Sequence, residues 1–74
     1  MRKIRLGRFQ LQELRLCAGE PQRRSAGNPT MRSLAGYGFV ESRQHVSART
    51  GMPTVDRLFT ATDAGRRYLA AASQ

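Results

Sequence analysis

Thirteen lysine and arginine side chains stand against five aspartates and glutamates in these 74 residues, a formal charge of +8. Cations at that density attract polyanions, and nucleic acid is the first partner they imply. They are unevenly spread: residues 1–24 carry seven basic and two acidic side chains, net +5, and residues 25–74 carry six and three, net +3. An arginine fork matches a phosphate or the edge of a guanine, so its setting decides what it can read. Arg32, with Thr30 and Ser33 beside it, offers base or phosphate contacts from one short segment, and Arg32 is the strongest single candidate. Arg43, Arg49 and Arg57 are spaced to press on phosphates or a narrow minor groove, Arg49 foremost; their plain alternative is to keep an exposed strand edge from pairing. Arg23 and Arg24 lie just ahead and could clamp the adjoining strand of a duplex.

Catalysis fails on inventory. One histidine, His45, and one cysteine, Cys17, are too few for a closed zinc site and supply no nucleophilic triad. Gly36-x-Gly38 lacks the third glycine and the following helix of a phosphate-cradling loop. No enzyme activity and no cofactor are therefore expected. A lone cysteine allows no intrachain disulfide; it reads as a buried small side chain and fits a reducing cytoplasm. The stretch Ile4 to Phe9 is interrupted by Arg5, Gly7 and Arg8 and offers no secretion segment, and no apolar run approaches the ~18 residues of a membrane span. The whole chain reads as mature protein, one domain over 1–74 with a basic N-terminal arm over 1–7, in which Arg2, Lys3 and Arg5 track phosphates.

The elements that must hold these residues follow from spacing and punctuation. Leu11, Leu14 and Ala18 keep helical spacing from about Arg8 until Gly19 ends the helix, with Pro21 opening a new turn and a short helical piece expected over Pro21 to Ala26. Asn28-Pro29 is the clearest local signal: an amide cap followed by proline at the first helical position starts a helix over 29–37. Met31, Leu34 and Ala35 should face inward, and Gly36 or Gly38 should supply the left-handed residue that closes it. Phe39 to Val46 and Val55 to Thr60 read as two strands joined by a loop with Gly51 and Pro53, and Thr62 caps a last helix carrying Tyr68, Leu69 and Ala72. Arg66 and Arg67 should face solvent or pair with Asp63 or Glu41. With nine alanines among 29 hydrophobic residues the core is small, and oligomerisation would contribute to stability.

This order resembles the winged helix-turn-helix fold over nearly the whole chain. The run Met31-Arg32-Ser33-Leu34-Ala35-Gly36-Tyr37-Gly38-Phe39-Val40-Glu41 is similar to the recognition helix entering the first wing strand of MarR- and PadR-like regulators. Thr62-Asp63-Ala64-Gly65-Arg66-Arg67-Tyr68-Leu69 is similar to their Leu-Thr-x-x-Gly-Arg-x-x-Leu segment, although Ala61 replaces the usual leucine and only Glu20 to Gly27 remains for the helix before the recognition helix. Gly36 to Glu41 also resembles the core of an RNA-recognition motif, in which Tyr37 and Phe39 would stack on bases. Against that stand Ala35 and Ser42, where the motif has a basic residue and an aromatic, and the helical C-terminal stretch.

The resemblance implies an α+β fold, a small winged helix-turn-helix of about three helices and a two-stranded hairpin. It implies a cytoplasmic protein of bacterial or phage type that binds double-stranded DNA as a transcriptional or recombination regulator. A homodimer would use the leucine-rich first helix or the Tyr68 to Ala72 segment. The alternative is that the same fold serves as a protein-interaction module, an adaptor or inhibitor with a protein partner.

Overall fold

The computed structural model describes residues 5–72, so Arg2 and Lys3 of the expected arm lie outside the described residues. The architecture is α+β: α1 (Arg8–Gly19), β1 (Gln22–Ser25), α2 (Pro29–Gly36), β2 (Val40–Val46), β3 (Pro53–Ala61) and α3 (Asp63–Ala72). The three strands form one antiparallel sheet in the order β1-β3-β2. Leu14 and Cys17 of α1, Met31 and Leu34 of α2, and Phe39, Val40, Phe59 and Ala61 of the sheet region make the buried core. Leu6, Ala18, Ala64, Tyr68 and Leu69 pack around it.

Three expectations need correction. The sheet has three strands rather than two, because Gln22–Ser25 is extended where a short helix was expected. Gln-Arg-Arg-Ser carries no apolar stripe that a helix could bury, whereas β3 offers it a free edge: Gln22, Arg23, Arg24 and Ser25 pair with Phe59, Leu58, Arg57 and Asp56. Gly19 is the last residue of α1 and not a left-handed stop; Glu20 follows in extended conformation, φ −159° and ψ 160°, leading straight into β1. Ala35 is exposed, since the eight-residue α2 touches the core only through Met31 and Leu34, and Ala35 lies about 100° further round the helix than Leu34.

The expected caps are present. Asn28 Oδ1 accepts from the Met31 amide at 3.0 Å, and Pro29 follows at the first position of α2. At the other end Gly38 has φ +79°, and the Phe39 amide donates to the Leu34 carbonyl at 2.9 Å while the Gly38 amide donates to the Ala35 carbonyl at 3.0 Å. This pair of bonds satisfies orphan carbonyls of α2 and turns the chain into β2, with Leu34 and Phe39 both buried behind the turn.

A second junction locks that corner to α3. The Thr62 amide donates to the Phe39 carbonyl at 2.9 Å, and the Thr62 hydroxyl donates to the Gly38 carbonyl at 2.6 Å while accepting from the Gly65 amide at 3.1 Å. Gly65 is buried against the same carbonyl: a Cβ there would sit 2.2 Å from the Phe39 oxygen and 3.1 Å from Leu14 Cδ1. Gly65→Ala should therefore lower stability by about 1–3 kcal/mol or more, because the obstacle is backbone that cannot rotate away. Gly36→Ala, with open space around it, should be neutral or raise stability by up to about 1 kcal/mol. Urea midpoints of the two variants against the parent chain check this contrast.

Candidate nucleic-acid interface

Strand alternation sorts the sheet arginines onto two faces. Arg23 and Arg43 both align with Leu58, forming one row on the face away from the core. Arg24 and Gln44 both align with Arg57, forming the adjacent row on the face that carries Phe59 and Ala61. The six residues occupy neighbouring rows, yet no single flat ligand can meet all four guanidinium groups.

Their partners differ as well. Arg24 is held by α1 through two bonds, Nε to Glu13 Oε2 at 3.0 Å and Nη2 to Glu13 Oε1 at 3.4 Å, and its Nη1 donates to the Arg23 carbonyl at 2.8 Å. A half-buried bidentate pair of this kind positions β1 on α1 and leaves little of Arg24 for a ligand. Arg23 meets Asp56 at 3.2 Å and reaches His45 Nε2 at 3.5 Å across the outer face. Arg57 donates from Nε to Ser42 Oγ at 2.9 Å, keeping its remaining donors. Arg66 is exposed, as expected, and donates to the Ala18 carbonyl at the end of α1 at 3.0 Å rather than pairing with Asp63 or Glu41.

Arg32, Arg43 and Arg49 are exposed and, like Arg5, Arg8, Arg15 and Arg67, have no side-chain ion pair or hydrogen bond among the described residues. Arg32 and Ser33 lie on the outer side of α2, where with Pro29 they line a shallow open depression. Thr30 is half-buried and turns instead into a groove shared with Phe9, Gln12, Glu13 and Asn28. Arg49 sits at the hairpin tip. There the Ser47 amide donates to the Met52 carbonyl at 2.9 Å, the Gly51 amide to the Ser47 carbonyl at 2.8 Å, and Gly51 adopts φ +69°.

The hairpin outreaches the rest of the sheet, because β1 stops at the Ser25–Asp56 pair while β2 and β3 continue to Val46 and Pro53. A register shift between Gln44 and Val46 interrupts that ladder. The Thr54 hydroxyl fills the break, facing the His45 carbonyl at 3.2 Å and the Asp56 carbonyl at 3.4 Å. Sequence reasoning missed this irregularity; a threonine beside Pro53 was its only visible sign.

The base-stacking arrangement of an RNA-recognition sheet is not formed. Phe39 is 7% exposed and belongs to the core, its ring 4.9 Å from that of Tyr68. Tyr37 caps α2 rather than standing on a strand. No group of three metal-ligating side chains occurs among the described residues, and no described helix is long and apolar enough to cross a membrane. The chain matches no family model, and no curated protein or solved structure resembles it significantly.

Cys17 is buried and its thiol is pushed up to about 11, first by burial, then by the Glu13 carboxylate, against a smaller opposing pull from Arg24. The folded state thus keeps the proton after the unfolded chain, near its ordinary 9.0, has released it. Stability should be at its full value below pH 9 and fall as pH rises toward 11, by about 1 kcal/mol per unit in that window. Chemical unfolding at several pH values should show this decline, and Cys17→Ala should remove this thiol-dependent part of it.

Proposed function

We propose that the chain is a compact winged-helix DNA-binding protein, a transcriptional or recombination regulator of bacterial or phage type. The observation that carries the reading is the placement of free guanidinium groups: Arg32 on the open side of a short capped helix, and Arg43 and Arg49 on the hairpin that this helix feeds. The element order and the β1-β3-β2 sheet agree with a winged helix in which a single helix, α2, stands between the first two strands. In this reading α2 enters the major groove with Arg32 and Ser33 foremost, while Arg49 meets the backbone. Arg23, Arg24, Thr30 and Arg57 hold the frame, being engaged with Asp56, Glu13, the α1–α2 groove and Ser42.

An eight-residue reader reaches only a few base pairs, so a working unit of two copies follows from the same reading. The buried thiol of Cys17 suits a cytoplasmic setting. One feature favours the alternative of a protein-interaction module: Phe9 is 74% and Leu16 41% exposed on α1, flanked by Arg8 and Arg15, a surface that suits an apolar partner with acidic groups.

Gel-shift titration against random duplex separates these readings. Binding should appear at about 50 mM salt and weaken by orders of magnitude at about 200 mM, as counterion release demands. Arg32→Ala should cost about 1–3 kcal/mol, and Arg49→Ala should lower the salt slope by about one. Absence of binding at the lower salt would remove DNA as the main partner and leave the α1 surface as the functional one.

A further inference from the structure

Three of the six large apolar side chains that the described residues expose lie on the hairpin: Val46 at 47%, Met52 at 63% and Val55 at 81%. Around them the charge is mainly positive, the nearest acidic residue in sequence, Asp56, being paired with Arg23. Residues 42–55 contain Arg43, Arg49 and His45 and no acidic residue, and neither arginine side chain is engaged elsewhere in the described structure. Met52 directly follows the left-handed Gly51, so the turn that closes the tip also presents its thioether, with Pro53 next in the chain. Val46 pairs with Pro53, and Val55, two residues further along β3, shares that side of the ribbon.

The apolar side chains of methionine and valine are unfavourably hydrated when exposed, and three together on a projecting ribbon suit a contact surface. Three side chains fall far short of the about 20–30 residues per side of a stable protein interface. An apolar tip beside the unpaired Arg49 complements a polyanion with an apolar interior, and stacked base pairs between phosphate rows are such an object. The minor groove is only about 6 Å wide, so the tip side chains can enter where the ribbon cannot. Methionine and proline are among the residue types that wedge between base steps and kink a duplex.

We infer that the hairpin tip bends DNA, Met52 inserting from the minor groove as an apolar wedge while Arg49 at the tip holds a flanking phosphate. The inference rests on the DNA-binding reading above and adds an activity to it: deformation of the duplex. Phosphate contacts supply most of the affinity and the wedge supplies the kink, so the two are separable by substitution.

The test uses the full chain and an A·T-rich duplex of about 30 base pairs containing TA steps, labelled at its ends for fluorescence energy transfer. The parent chain should bind and shorten the end-to-end distance as a bend of about 20–90° requires. Met52→Ala should bind within about threefold of the parent yet leave the duplex straight, whereas Met52→Leu should still bend it. Unchanged thermal unfolding of both variants would show that the exposed site is free of folding effects. Binding without bending by the parent, or equal bending by Met52→Ala, overturns the wedge and leaves DNA binding standing. No binding at about 50 mM salt overturns the DNA reading and the wedge together. Capture of the parent, but not Met52→Ala, by anionic phosphatidylserine vesicles with no duplex bending would assign the tip to a membrane surface and overturn the proposal.

Discussion

The close approach of α3 to the corner between α2 and β2 is the constraint on which the other placements depend. Gly65 lies against the Phe39 carbonyl at a distance no side chain permits, and Thr62 bonds both Phe39 and Gly38. Gly38 in turn takes the left-handed conformation that reverses the chain from helix to strand. Two glycines and a threonine thus set the angle at which the helix bearing Arg32 leads into the hairpin bearing Arg43 and Arg49. The core beneath them is small, eight buried residues, so the hydrogen bonds of this corner matter to orientation as much as burial does.

Charge is distributed around that frame by strand alternation and by the few acidic residues. Four of the five acidic residues, Glu13, Glu41, Asp56 and Asp63, lie within the described helices and strands, and two of them, Glu13 and Asp56, neutralise Arg24 and Arg23. Among the described residues, arginines without a carboxylate partner lie on all three helices and the hairpin: Arg8 and Arg15 on α1, Arg32 on α2, Arg43, Arg49 and Arg57 on the hairpin, and Arg66 and Arg67 on α3. The two pairings fix Arg23 and Arg24 in the frame and leave the other described arginines without a carboxylate partner.

Much of the frame was legible in the sequence because local chemistry specified it. Asn28-Pro29 marks the start of α2, Gly38 its end, and Thr62 the start of α3, and each acts through bonds within a few residues. Long-range pairing was not legible. Gln22–Ser25 has no strand pattern of its own and is extended because β3 has an open edge and Glu13 holds Arg24, neither of which lies nearby in sequence. The candidate site divides along the same line. Arg32, Ser33, Arg43 and Arg49 are exposed as their local elements imply, whereas the engagement of Arg23 and Arg24 depends on Asp56 and Glu13, brought in by tertiary contact. The apolar side chains of the hairpin escaped notice because a valine in a strand reads as core until its register shows no layer above it.

The most direct measurement of the proposed reading, in which arginines of α2 and the hairpin contact DNA, is an amide NMR titration with a short duplex. Resonances of Arg32, Ser33, Arg43, Arg49 and Met52 should shift together and saturate at a common ratio, leaving Phe9 and Leu16 unmoved. Shifts confined to the exposed face of α1, or hairpin shifts without any at Arg32 and Ser33, would contradict it.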